Sequence, residues 1–248
     1  DVPGFYSVLY SLGLLSKERL LLLRRIDGTC GHPDVGTAYV EANSGSLGMG
    51  ISKAKGMAFA KRYNNNTGRV FVMTGDGELQ EGQNYEALAT AVHQKINNII
   101  VIVDHNKVQT DKPISNVCDL GDLEGKFKAF GWHVARCDGH NFLDLERIFR
   151  SFDTITDKPK ILIADTIKGK GISFMEHPAA LRAGNGLYLW HSGAPDNTAF
   201  QRGFTEIIGR INQLLRENRL NPLILEQIQP EEKSGHHVST ESVADAYG

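Results

Sequence analysis

The residues best suited to chemistry lie in two short windows, Gly75-Asp76-Gly77-Glu78 and Asp104-His105-Asn106-Lys107-Val108-Gln109. Each follows a β-branched apolar run, so each opens at the carboxyl end of a strand, the edge where open α/β sheets bind anions. Asp76 supplies a hard oxygen to a divalent cation, while Gly75 and Gly77 let the backbone approach a phosphate and offer it N–H groups. If the two strands are neighbours, Asp76 and the Asn106 carboxamide hold one magnesium ion between them, and the Val108 carbonyl can add a further oxygen. Such an ion bridges diphosphate oxygens, because magnesium takes few protein oxygens and keeps phosphate and water as its other ligands. An isolated Gly-Asp-Gly is equally a plain strand-to-helix turn. The Asp-x-Asn window at this distance is what favours a metal.

Four apolar runs, at 69–74, 99–104, 132–136 and 160–166, alternate with segments of helical periodicity at 46–61, 82–94, 120–130 and 142–152. That alternation predicts an α/β fold in which a parallel sheet is covered by helices on both faces. Gly, Asn and Pro clusters at 64–66, 138–141 and 157–159 mark the connections. Residues 168–195 are Gly-rich and polar with little periodicity, and a loop that long in a compact domain is usually functional or mobile. An amphipathic helix is expected over 200–217. The expected division is a cofactor-binding domain over 1–199, followed by a C-terminal helix and polar tail over 200–248. Beyond Pro230, His236 and His237 are expected in a frayed tail rather than a metal site.

At 248 residues with 41% hydrophobic side chains, the chain is long enough for a sizeable core. Its formal charge of −2 leaves no field of one sign to favour nucleic acid or an anionic membrane. The apolar stretch at 20–23 is far too short to span a bilayer. Three cysteines, Cys30, Cys118 and Cys137, show no Cys-x-x-Cys spacing, so reduced thiols and a cytoplasmic location are expected. The chain opens at Asp1 without an initiator Met and reads as truncated at that end.

Several ordered motifs carry a resemblance. Gly-Asp-Gly followed by an Asn-bearing strand end resembles the thiamine diphosphate signature, and the run from Gly75 to Ala87, GDGELQEGQNYEA, is similar to the transketolase branch of that superfamily. Gly31-His32-Pro33, Gly45-Ser46-Leu47-Gly48, Phe130-Gly131-Trp132-His133, Asp138-Gly139-His140 and Trp190-His191-Ser192-Gly193-Ala194-Pro195 resemble further motifs of that family, over about residues 6 to 195. In the glycine loop, Ser46 stands where the family usually has Pro. The resemblance implies the family's thiamine diphosphate-binding fold, with magnesium held by Asp76, Asn106 and the Val108 carbonyl, calcium or manganese substituting. It implies that Gly75, Gly77, Glu78 and Asn106 stand at the diphosphate and that Gly45 and Leu47 present backbone groups to the aminopyrimidine. His32 and His191 would line the reacting carbons, and His191 would also touch the cofactor. Glu81 and Glu86 match acidic positions that sit between paired active sites and share protons there. Ordinary acids that offset a helix dipole are the competing reading for those two. A solvated loop competes with a phosphate-binding role for Lys168-Gly169-Lys170-Gly171.

The implied reaction is transfer of a two-carbon ketol unit from a ketose, free or phosphorylated, to an aldose, the cofactor serving as electron sink. The pyrimidine-binding domain of a full transketolase, with its activating glutamate, has no counterpart after Pro195. The chain therefore resembles the stand-alone N-terminal subunit of a split enzyme. A C-terminal subunit would then supply that glutamate, in a heterotetramer or larger dimer-based assembly. A partial full-length enzyme is the other explanation. A histidine motif that the family usually carries just before the segment matching residues 2–10 is either absent or precedes Asp1. Two alternatives stay open: another thiamine diphosphate enzyme, 1-deoxyxylulose-5-phosphate synthase-like or decarboxylating, and a non-catalytic interaction protein that keeps the fold. A nicotinamide-binding fold is disfavoured, because Gly48-Met49-Gly50 lacks the third glycine at the required offset.

Overall fold

The computed structural model describes residues 2–25, 28–192 and 195–226. The tail with His236 and His237, and Gly193 and Ala194 of the last motif, lie outside the described residues. The chain divides into two compact units, 1–196 and 197–248. The second is described by one amphipathic helix, Asn197–Glu217, and a short segment without regular secondary structure after it.

The first unit is built on four parallel strands: β1 (Val70–Gly75), β2 (Ile99–His105), β5 (His133–Asp138) and β6 (Lys160–Asp165), ordered β1-β2-β6-β5. A two-stranded antiparallel ribbon, β3 (Val108–Gln109) and β4 (Lys112–Pro113), follows β2. The helices are α1 (Val2–Ser11), α2 (Lys17–Leu21), α3 (Gly50–Tyr63), α4 (Gly82–His93), α5 (Leu123–Ala129), α6 (Phe142–Phe152) and α7 (His177–Ala183), with α8 the helix of the second unit.

The Ile-Ile-Val-Ile-Val run of β2 is apolar without alternation because both sides of this strand are covered. Ile99, Val101 and Val103 pack with Ile51, Ala54 and Ala58 of α3, Ala87, Leu88 and Ala91 of α4, and Leu123 and Phe127 of α5. Ile100 faces the other way, onto Ile148 and Phe152 of α6. Helices thus cover both faces, as the periodicity predicts.

Local chemistry explains the boundaries. The helix expected from residue 46 starts only at Gly50, because Gly45 and Gly48 adopt φ values of 97° and 82° that break the helical run. A Cβ on Gly48 would fall 2.5 Å from the Glu81 Cβ, so the loop is pressed against the start of α4. Helix α5 ends in a Schellman motif: Gly131, at φ 88°, donates to the Lys128 carbonyl and Trp132 donates to the Phe127 carbonyl. Trp132 is then buried and its indole N–H donates to the Leu88 carbonyl at 3.0 Å, tying β5 to α4. At α6 the Asn141 side chain caps the first turn, accepting from the Leu143 and Asp144 amides. Residues 168–192 are more ordered than their composition predicts: they contain α7, and Tyr188 and Ala180 bury against Val108.

Candidate active site

Strand register brings the two chemical windows to one edge. Gly75 pairs with Asp104, and the Asp76 amide donates to the Asp104 carbonyl at 3.2 Å. Asp76 is 1% exposed, a burial that an ionised carboxylate tolerates only when it is well bonded. One of its oxygens accepts the Gly77 N–H at 2.8 Å. The other accepts the Lys107 N–H at 2.6 Å and lies 3.2 Å from His105 Nδ1. Lys107 holds φ 66°, a left-handed conformation uncommon for a side chain of this kind, which turns its amide back toward Asp76.

Asn106 occupies the same turn. Its Oδ1 accepts the Val108 N–H at 3.1 Å, and its Nδ2 donates to Asp104 Oδ2 at 2.9 Å. The other Asp104 oxygen accepts from the Thr166 hydroxyl. Asp104 thereby orients the carboxamide so that its oxygen, not its nitrogen, faces the turn. Asp76 and Asn106 are engaged by the consecutive amides of residues 107 and 108, which places a carboxylate and an amide oxygen around one short stretch of backbone. A donor set of carboxylate, carboxamide and carbonyl oxygens suits a hard cation such as magnesium, so the residues present fit the expected ion. Among the described residues no group of three or more His, Cys, Asp or Glu side chains gathers as a metal site, so the expected ion would depend on amide and carbonyl oxygens beside Asp76.

The loop 44–48 approaches the same edge. Gly48 donates its N–H to Glu78 Oε1 at 2.9 Å, and Gly75 donates to Glu78 Oε2 at 3.2 Å. A Cβ on Gly45 would lie 3.3 Å from the His32 ring, so this exposed histidine stacks beside the glycine loop. Leu47 is exposed at the loop tip and helps line a cleft of about 350 Å³ with Gly45 and Glu78.

A larger cleft of about 710 Å³ opens beside Asp104 and Asn106 and is lined by His140, Lys168, Trp190 and His191 among others. Lys168 Nζ lies 2.9 Å from His191 Nδ1 and 5.2 Å from the centre of the Tyr188 ring. Burial pushes the Lys168 ammonium below the ordinary lysine value, while Asp76, Asp104 and Asp111 act against that fall. Burial first, and then the Lys168 charge, holds the His191 imidazole below the ordinary histidine value. Because a lysine only donates, the bond at Nδ1 leaves a neutral His191 with its proton on Nε2. In this tautomer the imidazole presents its Nε2 proton as a donor on the cleft wall.

The structure therefore gathers Asp76, Asn106, Val108, Gly75, Gly77 and Glu78 at one edge, with Gly45 and Leu47 on the adjoining loop, His32 packed beside that loop, and His191 on the larger cleft. Glu81 adjoins the glycine loop at Gly48, and Glu86 lies further along α4. Both are exposed on the opening turns of α4 and line neither cleft. Three participants are not apparent from sequence patterns: Asp104 and Thr166, which orient Asn106, and Lys168 as the partner of His191. Of these, Asp104 stands inside the Asp-x-Asn window, which is the signal that could have found it. The Lys168–His191 pair joins positions 23 residues apart and leaves no local signal.

A parallel α/β sheet whose strand ends offer hard oxygens opposite a glycine-rich loop defines the class of thiamine diphosphate-binding domains. The family model described as "Transketolase, thiamine diphosphate binding domain" matches residues 4–185. An apulose-4-phosphate transketolase subunit of Phocaeicola vulgatus is 34% identical over 218 residues, covering 88% of this chain and 74% of that protein. Human transketolase is 35% identical over 176 residues, but the match covers 70% of this chain and only 28% of that protein. The crystal structure of Pichia stipitis transketolase in complex with sedoheptulose-7-phosphate superposes with a TM-score of 0.65 at 26% identity, covering 84% of this chain and 30% of that one. The chain belongs to the transketolase family and represents its N-terminal, thiamine diphosphate-binding part, spanning under a third of the full-length human and yeast transketolases it matches.

Proposed function

We propose that this chain is the N-terminal subunit of a transketolase-type transferase that moves a two-carbon ketol unit from a ketose, free or phosphorylated, to an aldose. The observation that carries the reading is the edge at which buried Asp76 and the oriented Asn106 share one turn. In this reading Asp76, Asn106 and the Val108 carbonyl hold magnesium, and the Gly77 N–H meets the diphosphate. Thiamine diphosphate, when bound, supplies the electron sink that makes cleavage next to a carbonyl possible. The chain's own residues bind and orient. Gly45 and Leu47 present backbone groups to the aminopyrimidine, His32 and His191 bind substrate hydroxyls, and neutral His191 holds or passes a proton at Nε2.

Activity requires a companion chain with a pyrimidine-binding domain and its glutamate. Relatives whose names make them one subunit of a transketolase support that requirement, as does the exposure of Glu81 and Glu86, which leaves both carboxylates open to a second chain in a dimer-based assembly. Residues 1–199 form the cofactor-binding domain in this reading. A cytoplasmic location agrees with three free cysteines, and among the described residues no helix is long and apolar enough to cross a membrane.

The test is reconstitution: the chain, its partner, thiamine diphosphate and magnesium are mixed, and transfer from ketose to aldose is assayed. Transfer that is lost with Asp76→Ala supports the reading. Equal transfer by Asp76→Ala and wild type defeats it.

A further inference from the structure

Glu78 belongs to the motif that resembles a cofactor-binding turn, yet both of its oxygens accept backbone N–H groups. Oε1 accepts the Gly48 N–H at 2.9 Å and Oε2 accepts the Gly75 N–H at 3.2 Å. The two donors belong to different loops. Gly48 ends the glycine loop whose Gly45 and Leu47 face the aminopyrimidine in the proposed function, and Gly75 opens the turn that carries Asp76 and Gly77. The sequence separates Gly48 from Glu78 by 30 positions, so this bond is tertiary and not part of the turn's own geometry.

We propose that Glu78 is a positioning residue: its carboxylate clasps the glycine loop to the metal-bearing turn and fixes the span between the two ends of the cofactor. The inference rests on the thiamine diphosphate reading of the site and goes beyond it by removing Glu78 from the ligands.

Three further features fit a clasp. Gly48 is buried and at φ 82°, so its N–H has no ready exchange of water for protein. A Cβ at Gly48 would collide with the Glu81 side chain, so the loop is also seated sterically against the start of α4. Asn84, fully buried on α4, donates to the Glu78 carbonyl at 2.7 Å and holds the backbone from which the clasp projects. A carboxylate is the right group for this task. It is acceptor-only when ionised and can satisfy two backbone donors at once, whereas an amide would turn its NH2 toward one of them. Bonds to a charged acceptor are also the stronger kind.

The experiment compares wild type, Glu78→Gln, Glu78→Asp and Glu78→Ala in the complex reconstituted with the partner chain. The apparent affinity for thiamine diphosphate at fixed magnesium is measured alongside kcat at saturating cofactor. Amide hydrogen exchange at Gly48 and Gly75 is followed in the full chain without cofactor. Glu78→Ala is expected to weaken cofactor affinity by about tenfold to a hundredfold, as loss of bonds to a charged acceptor implies. It should leave kcat at saturation much less affected and speed exchange at both glycines. Glu78→Gln should restore protection at one glycine only, and Glu78→Asp, one methylene short, at no more than one.

Cofactor affinity and glycine exchange unchanged in Glu78→Ala would overturn the proposal, and so would a fall confined to kcat, which would make Glu78 a participant in the chemistry. If wild type itself shows no magnesium-dependent cofactor binding, the functional reading fails. The exchange data then still decide the clasp: faster exchange at Gly48 and Gly75 in the variants supports it, and unchanged exchange overturns it.

Discussion

Asp76 and Lys160 are both buried charged residues on one parallel sheet, at opposite edges, and they solve burial differently. Lys160, 5% exposed at the amino edge, donates to a single carbonyl, that of Asn97, at 2.6 Å. Burial, with Arg69 adding repulsion, pushes its ammonium below the ordinary lysine value. Asp76, at the carboxyl edge, collects two backbone N–H donors and a histidine from both chemical windows, and Asn106 and a cleft adjoin it. Burial of a charge is therefore not the mark of function in this protein. The mark is convergence of groups from separate strand ends beside open space, which parallel topology creates at carboxyl edges.

The contrast is broken most directly by substitution at each edge. Replacing Asp76 with Ala should weaken magnesium-dependent cofactor binding by more than about a hundredfold, since even groups that merely orient metal ligands are worth about 10–100-fold. Isothermal titration of the reconstituted complex measures this. Lys160→Met should leave that binding unchanged, its effect confined to folded stability: relief of a buried charge is set against about 1–3 kcal/mol for leaving the Asn97 carbonyl without its donor. Denaturant midpoints check it, and a Lys160→Met chain that lost cofactor binding would erase the distinction between the edges.

Asp104 sharpens the comparison with a smaller effect. Its carboxylate orients Asn106 through one oxygen and is held by Thr166 through the other, so Asp104→Ala should lower metal affinity about 10–100-fold, less than Asp76→Ala, with titrations under the same conditions giving the order. Trp132→Phe should destabilise by about 1 kcal/mol, the worth of its bond to the Leu88 carbonyl, and leave cofactor binding intact.

The smallest effect concerns pH. Burial holds both His177 and His191 below the ordinary histidine value. Below about pH 6.5 the unfolded chain therefore carries protons on these rings that the folded chain lacks, so stability falls as pH drops from about 6.5 toward the folded values and is flat above. Urea midpoints between pH 5 and 8 should show that slope, reduced in His177→Ala.

Much of this arrangement is legible in the residue order. The strand ends at Gly75 and Asp104 follow from two apolar runs, and their adjacency from alternation with helices. The glycines at 45 and 48 announce a loop, although their left-handed backbone delays α3 to Gly50. Other features cannot be read because they join distant positions. Glu78 looks locally like an acid in a turn, and only tertiary packing hands both of its oxygens to backbone amides. The 168–192 segment looks irregular because its order comes from burying Tyr188 and Ala180 on Val108 rather than from its own periodicity. The roles expected of Glu81 and Glu86 depend on a second chain, which no pattern within this one contains.

The central claim is that one hard cation sits between the ends of β1 and β2. A crystal structure of the chain with its partner, thiamine diphosphate and manganese, recorded at an anomalous wavelength, tests it. The account predicts a single peak about 2.1 Å from oxygens of Asp76, Asn106 and Val108, the distance expected for a small octahedral cation. A peak bound by other residues, or cofactor present with no metal at this edge, would contradict it.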